Sequence, residues 1–572
     1  MARESLSVVF AGSGGSGAMT AGNVFLRAAA NAGYYGLMSQ LFGPQVRGGE
    51  SAALVQISTI PIEAQPDCFD IFVALDWDKG EQFAVEIPLD ENSGILADKE
   101  AGAMPPSIAK SKAREIDLPM SDPDLTRLEK ALRGRHINIF AAAAVAALAG
   151  LSEWNVGSAL QAVMGDKSNE VIKANAAAAA SGAMAGKKLG LDFKLDRARK
   201  ADRWLITGNE AIGLGALRGG VRFVGCYPIT PATDLVEWLA PELQKLGGRL
   251  VLAEDELAAI NMVLGSSYGG TPSMTVTSGP GFSLMIETLG LAVAAEIPAV
   301  VVDVMRAGPS TGIASKTEQS DINIAIHGTH GDAPRVVLAP TSIADCISTA
   351  ESAVYIAESL QVPVIVLSDQ AFGQTRVVID PDSKRPKPMR RRINGAPSGA
   401  QFKRYAIGFD PVTPMPLPGT PGYQWVAEGL THSEIGLPAS GAGAHVAQIN
   451  KRAKKLQRFE PGDFWGESWG EGDTVVIAFG STIGPAREAA RRLTAAGHPV
   501  RIVGLRLLAP LPFTALASAL DGARRIIVIE QNHSAQLYHY LLGQKAIPVS
   551  AESVARPGPL PFRSSEIASY VA

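Results

Sequence analysis

Four clusters of polar residues, each set behind an apolar run, carry the chemistry that this sequence offers. Arg306 ends the β-branched run 299–304 and leads into Ala307-Gly308-Pro309-Ser310-Thr311-Gly312, followed by Ser315-Lys316-Thr317-Glu318-Gln319. A guanidinium at the carboxyl end of a strand, beside hydroxyls, suits a carboxylate held by paired charge-assisted hydrogen bonds; a plain surface arginine is the equal alternative. Glu254-Asp255-Glu256 stand at the start of a helical stretch, 257–267, where the helix dipole accounts for two of the three acids and leaves one to explain. Thr230 sits in Cys226-Tyr227-Pro228-Ile229-Thr230-Pro231, a loop that two prolines stiffen. Its bland reading is a turn, with Thr233 capping the next helix. Ser278-Gly279-Pro280-Gly281 could let backbone approach a ligand or could simply turn the chain.

A fifth cluster lies near the N-terminus. Gly12, Gly14 and Gly17, with Gly15 between them, fit the spacing of a dinucleotide loop between a strand at 7–11 and a helix at 19–32. Such a fold also wants an acidic residue about 20 positions on for the ribose. None stands between Glu4 and Glu50, which disfavours NAD. Tight-turn packing and another phosphate ligand such as coenzyme A both remain.

These clusters need elements to hold them, and the chain supplies alternating strand and helix patterns. Runs at 223–225, 250–253, 274–277, 299–304 and 364–367 alternate with helical stretches, which predicts a parallel sheet wrapped by helices. The carboxyl edge of such a sheet is where ligands bind, and four successive strands would deliver their loops there. The expected fold class is α/β, with three α/β domains and mainly parallel sheets. Their boundaries are 1–190 for an N-terminal domain, 200–385 for the central one, and 473–572 for the last. Between the last two, 386–472 reads as an irregular crossover along the surface, dense in Pro and Gly at 410–423.

Composition narrows the function. At 572 residues the chain is long enough for several domains, and 46% apolar, 19% charged residues and 59 glycines describe a globular α/β protein. A net charge of −4 gives no broad reason to bind nucleic acid, and the basic run Lys384, Arg385, Lys387, Arg390, Arg391, Arg392 lies among prolines as a solvated linker. No apolar run reaches the roughly 20 residues that cross a membrane, so a cytoplasmic protein is expected. The 3 cysteines, Cys68, Cys226 and Cys346, form no CxxC pair, and an iron–sulfur cluster normally needs four thiolates. Among 8 histidines only His327 and His330 are close, with nothing nearby to complete a zinc site. No metal site in this chain is expected.

Taken together, Tyr227 to Pro231, Ser278 to Gly281, Gly308 to Gly312 and His330-Gly331-Asp332 resemble the α subunit of 2-oxoacid:ferredoxin oxidoreductases. The N-terminal glycine loop and Gln45-Val46-Arg47-Gly48-Gly49 resemble that family's γ module, and the segment from Glu530 to Leu537 resembles its transketolase-C-terminal-like domain. The resemblance covers nearly the whole chain in the family's order. It implies a γ module fused ahead of a thiamine-pyrimidine-type domain, in an enzyme that cleaves a 2-oxoacid, passes electrons to ferredoxin and transfers the acyl group to coenzyme A. Glu256 then matches the glutamate at the aminopyrimidine ring, Thr230 the substrate-loop threonine and Arg306 the arginine that holds the substrate carboxylate. Ser278 and Gly279 fall on the thiamine side, and Gly12, Gly14, Gly15 and Gly17 on the coenzyme A side. The diphosphate and Mg2+ of thiamine diphosphate, and a 4Fe-4S cluster, would belong to a partner β subunit, within a dimer of αβ heterodimers. Ile313-Ala314-Ser315 replaces the Leu-Pro-Thr of some relatives, which puts Ser315 at a substrate-contacting position and leaves specificity open.

The leading expectation is an enzyme of central carbon metabolism that converts 2-oxoglutarate to succinyl-CoA or runs the reverse carboxylation. Pyruvate or a branched-chain 2-oxoacid is an alternative substrate. A thiamine-dependent component without ferredoxin is a second alternative, and a nucleotide-sensing scaffold built on the N-terminal glycine loop is the non-enzyme one.

Overall fold

The computed structural model describes residues 3–43, 49–78, 81, 86–99, 101–121, 136–381, 385–393 and 401–572. Residues 45–48 of the glycine-rich stretch and Lys384 of the basic run lie outside them. The chain forms two compact units. The first comprises Met1–Thr207, Gln374–Asp382 and Arg563–Ser565, and the second Gly208–Gly373, Ser383–Phe562 and Glu566–Ala572.

In the first unit an 8-stranded sheet runs in the order Arg114–Asp117, Gly94–Ala97, Ile71–Ala74, Ser5–Ser13, Glu50–Ser58, Tyr35–Phe42, Arg376–Ile379, Trp204–Thr207. The pairings from Arg114–Asp117 through Ser5–Ser13 are parallel, and the rest are antiparallel. The last two strands, which the sequence boundaries gave to the central domain, thus hydrogen bond in this sheet. One face is covered by the helices Ala18–Asn31, Ile137–Leu148 and Asn169–Lys188. Gly182 and Gly186 face the backbone of Phe140 and Ala144 so closely that a Cβ would collide with their carbonyls. Small residues therefore set how near these two helices lie.

The second unit carries a 7-stranded sheet in the order Leu507–Ala509, Val336–Leu338, Pro363–Asp369, Ala299–Met305, Ser273–Thr277, Phe223–Cys226, Arg249–Leu252. All pairings but that of Leu507–Ala509 are parallel. The central strands Ala299–Met305 and Pro363–Asp369 are buried along their full length, which explains their nearly continuous apolar runs. A 5-stranded sheet, Gly466–Trp469, Val500–Leu505, Thr474–Phe479, Arg525–Glu530, Glu552–Ala555, completes the unit. Residues of both sheets share one apolar core, with Ile365, Leu367, Ile477 and Val503 fully buried in it.

The expected surface crossover differs from expectation. It contains the helix Ala442–Gln457 and buries Arg404, Tyr405, Met415 and Lys455 almost completely. The reason is charge. Glu296, on the turn after the helix Ile286–Ala294, is itself buried and meets Lys451 Nζ at 2.5 Å and Lys455 Nζ at 2.7 Å, while Arg404 donates to its carbonyl at 2.8 Å. The basic run is likewise no simple linker: Arg391 is buried and donates from Nε and Nη2 to Glu358 at 2.9 and 2.8 Å.

Candidate active site

Each of the four polar clusters of the central sequence lies at the carboxyl end of a strand, and the four strands, 249–252, 223–226, 273–277 and 299–305, are consecutive neighbours in the parallel sheet. Their loops therefore meet along one edge, as the alternation predicts. Thr233 caps nothing: the helix Thr233–Lys245 begins with it and has Ala232 at its N-cap.

Arg306 links two of these loops by donating from Nη1 to the carbonyl of Thr230 at 2.5 Å. Asn209, fully buried, holds the same turn by donating to the carbonyl of Pro231 at 2.9 Å. The Arg306 side chain is buried, and its Nε has no partner. Burial lowers its pKa, and the charge of Asp321 opposes that shift. The loop beyond folds back on itself. Ala307 N donates to Lys316 O and Ile313 N to Ala307 O, both at 2.9 Å. Gly312 makes this possible, with φ +54 and the Ala307 carbonyl where a Cβ would stand.

Glu256 is the first residue of the helix Glu256–Tyr268, capped by Asp255, whose carboxylate accepts from Ala258 N at 2.7 Å. Asp255 thus has its own structural task. Glu256 is buried at 6% exposure, turned inward, and a Cβ on Gly281 would collide with its Oε1 and with Thr277 Oγ1. Along the same helix Ile260 is buried, whereas Leu257 and Met262 are 47% and 40% exposed. The Ser278–Gly281 loop stands against Glu256. The Ser278 hydroxyl is shielded from water and has no partner.

A cavity of about 750 Å³ opens along this edge, lined by Gly279, Arg306, Ser310, Asp321 and Glu318, with Asn532 and Gln536 from the loop after the strand Arg525–Glu530. Gln536 donates to Ser320 O at 2.8 Å and accepts from Asn323 N at 2.9 Å, and Asn532 donates to Gln319 O at 3.1 Å. Glu530, buried, fixes that loop by accepting from Leu537 N and Tyr538 N at 2.8 and 2.9 Å. Ser315 is half-buried in the folded-back loop and does not line the cavity.

Sequence reasoning missed Asp303 and Asp321, and it quoted Glu318 and the segment of Asn532 and Gln536 without placing them at the cavity. Asp303 did leave a signal, as the one charged residue in the strand Ala299–Met305. Burial holds its pKa well above the carboxylate range, and Asp321 is raised to about 6, again by burial first, with Arg306 pulling the other way.

In the first unit the glycine loop is closed rather than open. Asp76 accepts from Ser13 N and Ser13 Oγ, both at 2.9 Å, and Gly14 N donates to Gly49 O at 2.5 Å. Two amides that a phosphate could use are thus already spent. Gly15, with φ +105, has nothing near it, and Gly17 precedes the helix Ala18–Asn31 with φ +85. Gly12 leaves no room for a Cβ beside Ser16 Oγ, at 2.7 Å.

The donor set at the sheet edge, one inward carboxylate, one orphaned hydroxyl and a loop too close for side chains, fits the aminopyrimidine end of a thiamine-type cofactor. Among the described residues no group of three or more His, Cys, Asp or Glu could hold a metal. Comparison with known proteins agrees with this layout. Residues 214–451 match the family described as pyruvate flavodoxin/ferredoxin oxidoreductase, thiamine diP-bdg, residues 7–185 pyruvate ferredoxin/flavodoxin oxidoreductase, and residues 472–551 pyruvate:ferredoxin oxidoreductase core domain II. The chain belongs to the 2-oxoacid:ferredoxin oxidoreductase family. It is 36% identical over 344 residues to the 2-oxoglutarate synthase subunit KorA of Methanothermobacter marburgensis, covering 59% of this chain and 90% of that protein. It is 35% identical to the 2-oxoglutarate oxidoreductase subunit KorA of Mycobacterium tuberculosis over 64% of this chain and 56% of that one. A solved 2-oxoglutarate:ferredoxin oxidoreductase from Magnetococcus marinus, with 2-oxoglutarate, coenzyme A and succinyl-CoA bound, superposes with a TM-score of 0.89 at 34% identity, covering 100% of this chain and 99% of that one. No helix among the described residues is long and apolar enough to cross a membrane.

Proposed function

We propose that the chain is the α-type subunit of a 2-oxoglutarate:ferredoxin oxidoreductase that forms succinyl-CoA and CO2 from 2-oxoglutarate and coenzyme A, or runs the reverse carboxylation. The observation that carries this reading is that an inward carboxylate, Glu256, and a partly unpartnered guanidinium, Arg306, follow strands of one parallel sheet at its carboxyl edge, with the Ser278–Gly281 loop against Glu256 and Arg306 in the cavity wall. Thiamine diphosphate, when bound, supplies the nucleophilic carbon that adds to the 2-oxoacid carbonyl. Glu256 would hold the aminopyrimidine ring and provide the carboxyl that exchanges a proton with it, and Ser278 and Gly279 would flank the cofactor on this side. Arg306, anchored through Thr230, holds the substrate carboxylate, and Ser315 sits on the loop that bears on substrate choice. The glycines at 12, 14, 15 and 17 are the coenzyme A-side candidates, with Gly15 the most open and Gly17 packed against Asn138.

A partner β subunit would hold the diphosphate, Mg2+ and a 4Fe-4S cluster, pair with this chain as a dimer of αβ heterodimers, and pass two electrons to ferredoxin in the cytoplasm. Cys226 and Cys346 are buried and Cys68 lies alone on the surface, so the isolated chain is expected to be colourless and inactive. Stoichiometric iron and sulfide in it would contradict this division of labour. The test is co-expression with the partner and viologen reduction across 2-oxoglutarate, pyruvate and a branched-chain 2-oxoacid, each with coenzyme A. The fastest reduction is expected with 2-oxoglutarate, and no reduction with any of them would overturn the reading.

A further inference from the structure

Behind Arg306 lie two carboxyl groups to which no role has yet been given. Asp303 stands within the strand Ala299–Met305, fully buried, and neither of its oxygens meets an N–H or O–H donor. Asp321 precedes the helix Ile322–His327, and its Oδ2 is shielded from water and equally without a donor. The two side chains are in hydrogen-bonding contact with each other. Two ionised carboxylates accept only, so such a contact in a dry place requires a proton between them.

The surroundings tie this proton to the cavity. Asp321 lines it, as Arg306 does, and its Oδ2 would stand 2.7 Å from a Cβ on Gly279, so the Ser278–Gly281 loop rests directly on Asp321. The other charged group facing Asp321 is Glu318, whose carboxylate accepts from Gly308 N at 3.2 Å and Gly558 N at 3.3 Å. We propose that Asp303 and Asp321 are a proton-sharing pair of positioning residues that governs how much of the Arg306 charge is free for an anionic substrate. With one proton in the pair, Asp321 is the internal counter-charge of Arg306 and competes with the substrate carboxylate. When the substrate binds, its negative charge draws one proton from solvent onto the pair, which becomes neutral and releases Arg306. No bond other than O–H is made or broken. The proposal rests on the functional reading above, with Arg306 as the substrate clamp.

Asp321 titrates near pH 6 before substrate arrives, so the competition switches on as pH rises through that region. Both carboxyls of 2-oxoglutarate are ionised throughout pH 5.5 to 8, so the substrate itself does not titrate there. The experiment is the pH dependence of KM for 2-oxoglutarate in the complete complex with the partner subunit, read apart from kcat. Wild-type KM is expected to rise by about fiftyfold to a hundredfold from pH 5.5 to 8, one proton being taken up on binding. Asp321→Asn, a neutral stand-in for the protonated acid, should hold KM low and flat. Asp303→Asn, which donates an N–H and keeps Asp321 ionised, should hold KM high and flat. A merely structural pair would not move KM in opposite directions. Turnover with a wild-type KM that is flat over this range overturns the proposal alone, even if neither variant folds. Variants that keep the wild-type slope overturn it as well. Absence of 2-oxoglutarate turnover by the wild-type complex overturns the functional reading, and the proposal with it.

Discussion

Around Glu296, two buried ammonium groups have answering partners: Lys451 and Lys455 meet its carboxylate, and Lys455 also donates to Gln361 O at 3.1 Å. Around Arg306, in the same unit, the donors Ser278 Oγ and Arg306 Nε have no partner, and Asp303 and Asp321 are paired only with each other; near Glu296 the Nε of Arg404 is likewise left over, but the Glu296 carboxylate is answered. Both places take charge out of water, which is costly unless it is paired. At Glu296 the pairing is internal, and it ties the crossover and its helix to the core. At Arg306 the pairing is left incomplete, and the unpartnered donors Arg306 Nε and Ser278 Oγ are what the proposed anion site would use. A buried charge therefore has to be read with its partners before it is taken for function.

The comparison breaks most visibly at Glu256. Glu256→Gln keeps the shape and is expected to slow turnover of the complex by about a hundredfold to ten-thousandfold, the range of general acid–base assistance. Glu254→Gln and Asp255→Asn should cost far less, since asparagine still caps the helix. Arg306→Ala comes next: steady-state kinetics should show KM for every 2-oxoacid raised by about tenfold to a thousandfold, beside a loss of stability of about 1–3 kcal/mol from the unpaired Thr230 carbonyl. An unchanged KM would return Arg306 to a structural role.

Glu296→Gln should do the reverse. It leaves Lys451, Lys455 and Arg404 buried without their carboxylate and should cost about 3–5 kcal/mol of stability by chemical denaturation, while folded protein keeps its KM. A smaller effect distinguishes the two places by pH. The folded pKa of Glu296 is lowered to about 2 from 4.5, so its stabilisation is complete above pH 4.5 and is lost as pH falls through about 2. That of Asp321 is raised to about 6 from 3.8, so its contribution is complete below pH 3.8 and lost as pH rises through about 6. Asp321→Asn should then raise the melting temperature at pH 8 and not at pH 4. The smallest change is expected at Ser315, where Ser315→Ala should shift the preference between 2-oxoglutarate and pyruvate by about tenfold or less.

Much of this was legible in the sequence where the pattern is local. The five strands of the central run show as β-branched blocks, and the rigid loops behind them carry Thr230, Glu256, Ser278 and Arg306 in order. The strands Tyr35–Phe42 and Glu50–Ser58 were not seen, because Gly, Ala, Ser and Gln dilute their β character. Arg391 read as linker because its prolines are local and Glu358 is not. Asp303 advertised a missing partner from within an apolar strand, yet only the fold brings Asp321 to it. In the glycine loop the spacing left tight-turn packing and a phosphate ligand open, and it says nothing of the Asp76 carboxylate that occupies the Ser13 donors.

The central claim is that Glu256 shares a proton with the cofactor at this sheet edge. The most direct test is hydrogen–deuterium exchange at C2 of thiamine diphosphate bound in the complex, compared across Glu256→Gln, Glu254→Gln and Asp255→Asn. Exchange slowed by about a hundredfold or more in Glu256→Gln alone is the predicted result, and near-normal exchange in that variant would contradict it.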